Sequence, residues 1–196
     1  MPDYGTIADV SDTLRQVLTD ALQPLDPANP PLAEVSDLQG KIKTAPPRIT
    51  IFLFETVEDP SARNRPPVLA AVPPNQILKK KPPMALLLRY MLTPWSGDRL
   101  TDHRLLGRAM QVLYNNPVLS GTQLLGQLAG TDQALKISLS PLTIEERARV
   151  WYAIQQAYHL SVTYEVRVVN LDAIDSEPLT SISQRSTHIL GPEAAQ

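Results

Sequence analysis

The pattern of apolar and polar positions is clearest in residues 82–121, where it predicts a strand followed by a helix. Residues 84–92 are apolar at nearly every position except Arg89, as expected of a strand that is covered on both faces. Thr93-Pro94 interrupts this pattern, and residues 96–98 predict a turn. We therefore expect residues 84–92 to form a central strand of the fold.

The segment after this turn has the period of an amphipathic helix. Thr101 is placed to cap the helix, with Asp102 in its first turn. Asn115-Asn116-Pro117 ends it, because a residue before proline avoids the helical conformation. The apolar stripe comprises Leu105, Leu106, Ala109, Met110, Val112 and Leu113, and the opposite face carries Arg104, Arg108, Gln111 and Asn115.

Two further helices are predicted on either side of this unit. Apolar residues recur at helical spacing from Ile7 to Leu22, so we expect a helix that begins near Asp9 or Ser11 and is stopped by Pro24. Residues 143–146 form a capping box that opens another helix. The side chains that this helix is expected to turn inward are Ile144, Val150, Trp151, Ile154 and Tyr158.

The remaining regular segments are mostly strands. Residues 49–56 are β-branched and aromatic, and residues 135–139 and 162–168 alternate between apolar and polar positions. A short strand is expected around residues 32–38, and a short helix in residues 122–128. A mixed β-sheet flanked by helices, of the α/β (α+β) class, follows from this order of elements.

Two segments lack such a pattern. Residues 58–83 contain several proline pairs and little periodicity, and we interpret them as a long proline-rich arm that becomes ordered against a partner. The tail, residues 176–196, shows only a weak apolar alternation. Whether the tail is disordered or adds a strand to a neighbouring subunit stays open at this point. At 196 residues we expect a single domain, 1–175, with 176–196 as a C-terminal extension.

Composition excludes several classes of function. The chain has no cysteine, and its three histidines stand far apart, so we expect no metal, no cofactor and no disulfide. No nucleophile elbow, phosphate loop or dinucleotide loop is present, and we expect no catalytic residue and no enzyme activity. Neither a membrane span nor a secretory signal is apparent, which is compatible with a cytoplasmic protein.

The net charge of −2 is unevenly distributed along the chain. Residues 60–110 carry nine basic and two acidic side chains, whereas residues 1–59 carry four and ten, and residues 111–196 carry five and eight. Such blocks can complement a second copy of the chain, or can mix on the folded surface. The aromatic content of 5% and the acidic pI argue against nucleic acid as the partner of the basic block.

Several motifs, in one order over residues 7–172, resemble the N-terminal domain of the cap (tail terminator) proteins of extracellular contractile injection systems, the phage-tail-like particles of the antifeeding-prophage and virulence-cassette type. The motifs that carry this resemblance are Ile7-Ala8-Asp9-Val10-Ser11, Ile51-Phe52-Leu53-Phe54 with Asp59-Pro60 and Arg63-Asn64, residues 86–93, His103-Arg104-Leu105-Leu106-Gly107, Asn116-Pro117-Val118-Leu119-Ser120-Gly121, and residues 150–166.

The resemblance implies a tail-terminator-like fold and a structural protein that forms a ring, a homo-hexamer, at the end of the particle distal to the baseplate. It implies that this ring ends polymerisation of the inner tube and sheath and joins the two, whether or not a cap paralogue shares the position. It also implies assembly in the cytoplasm, with later release in the particle or membrane association through partners left open. Larger members extend beyond this domain, so we expect the function of their extra region to be absent. A phage-tail completion or baseplate adaptor protein and, more distantly, a small-molecule enzyme are the alternatives.

We expect the basic residues of the arm and of the central helix, together with the tail, to contact neighbouring subunits, the tube or the sheath. The residues predicted at these interfaces are Arg63, Asn64, Arg65, Lys79, Lys80, Lys81, Arg104 and Arg108.

Overall fold

The computed structural model describes residues 4–62, 66, 68–72, 76–80, 82–171 and 176–179. These ranges contain three α-helices and nine strands, with short 3₁₀ turns between some of them. The helices are α1 Thr6–Leu22, α2 Arg99–Asn115 and α3 Ile144–Ala153. The strands are β1 Leu32–Val35, β2 Arg48–Glu58, β3 Val68–Val72, β4 Gln76–Lys80, β5 Met84–Trp95, β6 Val118–Ser120, β7 Ala134–Leu139, β8 Val162–Leu171 and β9 Ser176–Leu179.

The strands form two sheets that belong to separate compact units. One unit comprises Met1–Asn64 and Pro83–Asp172 and contains a six-stranded sheet of order β1-β2-β5-β8-β7-β6. Only β1 and β2 are parallel in this sheet, so it is mixed, and the predicted fold class is confirmed. The other unit comprises Arg65–Pro82 and Ala173–Gln196 and contains the antiparallel sheet β3-β4-β9. The domain boundary predicted at residue 175 stays a prediction.

Strand β5 is central, as its sequence predicts, and it is longer than expected. It lies between β2 and β8, and nearly all its residues are buried. The strand continues through Thr93 and Pro94 to Trp95. Pairing with β8 ends at Leu92, so beyond that residue β5 has only β2 beside it. Pro94 has no N–H group to donate, and a proline is tolerated at such an edge.

One face of the large sheet is covered by α1 and α2, which form the main apolar core with it. Because apolar residues of α1 recur every three or four positions, they lie on one side of the helix and pack on the sheet. In α2 the predicted stripe is buried except for Met110, which is partly exposed. The core residues of the sheet alternate along each strand, among them Ile49, Ile51, Leu86, Leu88, Tyr90, Leu92, Leu135, Ile137, Tyr164, Val166 and Val168.

The opposite face has a smaller apolar cluster. Its fully buried members are Leu38, Met91 and Trp151, with Phe52 and Trp95 among the partly buried residues around them. Helix α3 contributes Trp151 to this cluster. The inward orientation predicted for this helical segment is confirmed for Trp151, Val150 and Ile154, the last two of which are partly buried against the cluster. It is wrong for Ile144 and Tyr158, which are exposed.

Local capping also differs from the sequence prediction at α2. The cap is Asp98, whose side chain accepts a hydrogen bond from the N–H of Thr101 at 2.8 Å, so Thr101 already lies inside the helix. The capping box of Thr143 and Glu146 is confirmed at α3.

Residues 122–128 form two 3₁₀ turns instead of the short helix that the sequence predicted, and the short strand β6 before them was not predicted.

Candidate assembly interface

The eight predicted interface residues fall on three parts of the chain. Arg63, Asn64, Arg65 and Lys81 lie outside the described residues. Lys79 and Lys80 lie on β4 in the small sheet, whereas Arg104 and Arg108 lie on α2 in the large unit. Their role as interface residues therefore stays a prediction.

The predicted arm contains regular structure that sequence reasoning missed. Strands β3 and β4 occupy residues 68–72 and 76–80, and β9 of the tail pairs with β4 of the same chain. Lys79 stands opposite Glu177 in this register. Part of the tail is thus an added strand within its own chain. The proline pairs lie outside these strands. The apolar runs between the proline pairs are only a few residues long, which is too short to predict a strand from sequence periodicity.

The two arginines of α2 differ in their surroundings. Arg104 is exposed. The Nε of Arg108 donates a hydrogen bond to the carbonyl of Ala21 at 3.2 Å, and its Nη1 donates to the Oε1 of Gln111 at 2.9 Å. Because Ala21 lies in the last turn of α1, where carbonyls lack helical partners, Arg108 holds the two helices together. Arg104 is the residue of this pair that is available to a partner.

A groove on the helix face lies between α2 and β7. We call it the α2–β7 groove; it has a volume of about 770 Å³. Tyr114 at its rim is 84% exposed and Leu139 is 50% exposed, so the groove presents apolar side chains to solvent. Its lining consists of Gly107, Met110, Gln111, Leu113, Tyr114, Pro117, Ile137, Ser138, Leu139 and Tyr164. The alternation in residues 135–139 was visible in the sequence, but the position of the groove was not.

Arg89, the one charged residue in the apolar pattern of β5, lies on the opposite face. Its Nη1 is 2.5 Å from the Oε2 of Glu55 on β2, and its Nε is 3.5 Å from the Oε2 of Glu165 on β8. Arg167 is 3.3 Å from the other oxygen of Glu165. These ion pairs cross the strands β2, β5 and β8 and place two carboxylates beside the guanidinium of Arg89.

His159 packs near the end of β5 against two tryptophans. Its ring stacks on Trp95 with centroids 4.3 Å apart, and its Nε2 is 3.9 Å from a carboxylate oxygen of the buried Asp102. Desolvation lowers the pKa of His159 below its ordinary value; Asp102 opposes this shift and Arg99 adds to it. The hydroxyl of Ser96 donates to Asp102, not to the histidine, so no activated nucleophile is assembled here.

Within the described ranges, no group of three or more histidine, aspartate or glutamate side chains could hold a metal ion. None of the helices in those ranges is long and apolar enough to span a membrane.

Comparison with known families and structures identifies the type of domain. A sequence model described as the Pvc16 N-terminal domain matches residues 9–184. The chain belongs to the Pvc16 N-terminal domain family. A comparison with curated protein sequences finds no match.

Two cryo-EM structures share the fold. One is the PVC sheath/tube terminator of an extracellular contractile injection system in the extended state, with a TM-score of 0.64 and 18% identity over 96% of this chain. The other is the anti-feeding prophage cap, a tube terminating cap, with a TM-score of 0.60 and 18% identity over 93% of this chain. The chain spans 65% and 61% of the lengths of these two proteins. The predicted tail-terminator-like fold is confirmed, and so is the predicted membership of a contractile-injection cap family.

Proposed function

We propose that this protein is a structural cap of a contractile injection system, which ends polymerisation of the inner tube and sheath and joins the two. The observation that carries the proposal is the match of the Pvc16 N-terminal domain over residues 9–184. The shared fold of a sheath/tube terminator and a tube terminating cap supports it. On this proposal the protein acts by assembly alone and has no enzyme activity.

The architecture suits such a role. A subunit that closes a filament needs a rigid body and surfaces that meet several neighbours. The large sheet with its helix-covered core supplies rigidity, since it buries apolar residues from two helices and all six strands. The exposed Arg104 supplies a charged surface, and the α2–β7 groove supplies an apolar one.

We propose a homo-hexameric ring at the end of the particle distal to the baseplate, assembled in the cytoplasm. Its partners are further copies of the chain and the last tube and sheath subunits. Arg63, Asn64, Arg65, Lys79, Lys80, Lys81 and Arg104 are proposed as contact residues. Arg108 is a weaker candidate, because its guanidinium already binds within the chain.

Deletion of the gene, followed by electron microscopy of particles, tests the cap role. We expect tubes of irregular excess length and sheaths that separate from tubes. Complementation with the unchanged protein should restore a uniform length. Particles of normal length with intact ends in the deletion strain would overturn the proposal.

The contact residues are tested by charge reversal in the complemented strain. We expect Arg63→Glu combined with Arg65→Glu, and separately Arg104→Glu, to reproduce part of the deletion phenotype. Lys136→Glu is the matched control, because Lys136 is an exposed cation outside the predicted set. Normal ring formation and normal length in both variants would remove these residues from the interface.

A further inference from the structure

Four buried polar atoms between α3 and the large sheet have no hydrogen-bond partner among the residues that the structure describes. They are the Oγ1 of Thr93, the Oγ of Ser161, the Nε1 of Trp151 and the Nε of Arg147. Thr93 and Ser161 are completely buried, and Trp151 is 1% exposed. A buried polar atom without a partner costs free energy, so folded proteins pair nearly all such atoms, either with other protein groups or with internal water.

The two hydroxyl groups lie side by side at the ends of neighbouring strands. The pairing of β5 with β8 ends at Leu92 and Val162, and Thr93 and Ser161 are the next residues along the two segments. Side chains alternate between the faces of a sheet, and Leu92 and Val162 pack in the core on the helix face. The hydroxyls of Thr93 and Ser161 therefore both lie on the opposite face.

Helix α3 brings its two donors to the same place. Arg147 and Trp151 are one helical turn apart, so they share a side of α3. The Nη1 of Arg147 donates a hydrogen bond to the carbonyl of Ser161 at 3.0 Å. This bond holds the guanidinium group beside Ser161.

The indole of Trp151 lies over Thr93. Trp151 packs in one cluster with Met91, and its ring centroid is 6.5 Å from that of Trp95. Met91 and Trp95 are the residues on either side of Thr93 on the same face of β5. The four unpartnered atoms thus converge between α3 and the ends of β5 and β8.

The hydrogen-bonding capacity of these four atoms matches that of one water molecule. The N–H groups of Arg147 and Trp151 can only donate, whereas the hydroxyls of Thr93 and Ser161 can accept. Water accepts two hydrogen bonds and donates two, so a single molecule satisfies all four atoms. Arg147 is only half-buried as a residue, so its charge does not require a buried anion.

We propose that α3 and the large sheet share an internal water molecule. The water accepts hydrogen bonds from the Nε of Arg147 and the Nε1 of Trp151, and it donates to the hydroxyl oxygens of Thr93 and Ser161. It fastens α3 to the ends of β5 and β8, in addition to the apolar contacts of Trp151. The inference is independent of the proposed cap function, and its failure would leave that function standing.

Oxygen-17 magnetic relaxation dispersion tests the proposal directly. The method counts water molecules that stay inside a protein for longer than the protein tumbles, and exchange of hydroxyl protons with solvent does not affect the count. We expect the double variant Thr93→Val with Ser161→Ala to hold one such water molecule fewer than the unchanged protein. An equal count in the two proteins would overturn the proposal.

Thr163→Val is the matched control for this count. Thr163 is also buried on the opposite face of β8, but its hydroxyl donates to the carbonyl of Ser140 within the chain. We expect Thr163→Val to keep the full count of internal water molecules. Thermal melting verifies that each variant folds.

Urea unfolding gives a second test, because the two possibilities differ in sign. If the hydroxyl of Thr93 had no partner, Thr93→Val would leave the stability unchanged or increase it. If the hydroxyl binds the shared water, its removal weakens the bonds of the three other groups. We therefore expect Thr93→Val and Ser161→Ala each to raise the unfolding equilibrium constant about fivefold. Constants that are unchanged or lowered in both variants would overturn the proposal.

The two indole groups of the chain show whether an anion occupies the site instead of water. The Nε1 of Trp95 donates to the Oγ1 of Thr50 at 2.9 Å, so the indole N–H signal of Trp95 in NMR spectra is the internal reference. We expect both indole signals to keep their positions when chloride in the buffer is replaced by sulfate. A shift confined to the signal of Trp151 would overturn water as the occupant.

Discussion

The two faces of the six-stranded sheet are built on different principles. The helix face carries a continuous apolar core, in which α1, α2 and alternate residues of every strand pack together. The opposite face has three fully buried apolar residues, a row of ion pairs centred on Arg89, and the ring stack of His159 on Trp95. Leu88 and Met91 are only three positions apart on β5, yet they belong to different apolar clusters on opposite faces of the sheet.

The difference shows where the stability and the adaptability of this domain lie. Burial of apolar area is the main source of folding free energy, so the helix face stabilises the domain. Ion pairs that are partly exposed contribute little, because water screens them. Substitutions on the opposite face should therefore be better tolerated than substitutions on the helix face.

The largest effect is expected from truncating one buried residue on each face of β5. Leu88→Ala should destabilise the domain by about 3–5 kcal/mol, because it leaves a cavity in a dense core. Met91→Ala should cost about 2 kcal/mol, since the smaller cluster around it can relax or admit water. Urea unfolding of both variants measures the two losses. Equal losses would show that the two faces are packed alike.

An intermediate effect is expected at Gly126, where the loop after β6 is held against α1. Gly126 has φ +59°, and a Cβ there would lie 2.0 Å from the Oδ1 of Asp9, whose other oxygen accepts the N–H of Gln127 at 2.9 Å. We expect Gly126→Ala to cost about 1–3 kcal/mol through backbone strain and displacement of this carboxylate.

Gly130→Ala is the matched control for this loop. Gly130 also has a positive φ, +72°, but a Cβ there meets no atom within 4 Å. The two variants share the backbone strain, so any excess loss of unfolding free energy at Gly126 measures the contact with Asp9. Identical losses would mean that Asp9 simply moves aside.

The smallest effect is expected from the pH response of the opposite face. Because burial lowers the pKa of His159 in the folded domain, the unfolded chain binds more protons as the pH falls below about 6.5. Stability should therefore be complete above pH 6.5 and decline as the pH falls through the lower folded pKa. We expect His159→Gln to lose less stability than the unchanged protein between pH 7.5 and 5.

On the helix face, the buried titratable Tyr90 responds at the other end of the pH scale. Burial raises the pKa of Tyr90 to about 12, while its hydroxyl pairs with Ser11 at 2.9 Å. Tyr90 therefore contributes nothing to the change of stability between pH 5 and 7.5.

His103→Gln, at an exposed position of α2, is the control in the His159→Gln experiment for loss of a histidine. A pH dependence unchanged by His159→Gln would contradict the assignment.

Long periodic segments could be predicted from the sequence, and short or interrupted ones could not. The helix of residues 7–22 was predicted because its apolar residues recur at helical spacing over several turns. The strands around Ile51 and Leu88 were predicted because they are long runs of apolar, β-branched or aromatic residues. Strands β3, β4, β6 and β9 have three to five residues, too few to establish a period among prolines. The α2–β7 groove was not predictable, because it depends on where β6 ends relative to β7.

The class of the fold, the central position of β5 and the family resemblance were predictable from the sequence, since each depends on patterns that extend over many residues. The contacts that bury or expose individual side chains became known only from the folded structure. It assigned Arg108 to a contact between α1 and α2, left Arg104 exposed, and put an apolar groove between α2 and β7. These features arise from contacts between residues distant in the chain, and a local pattern carries no information about such distances.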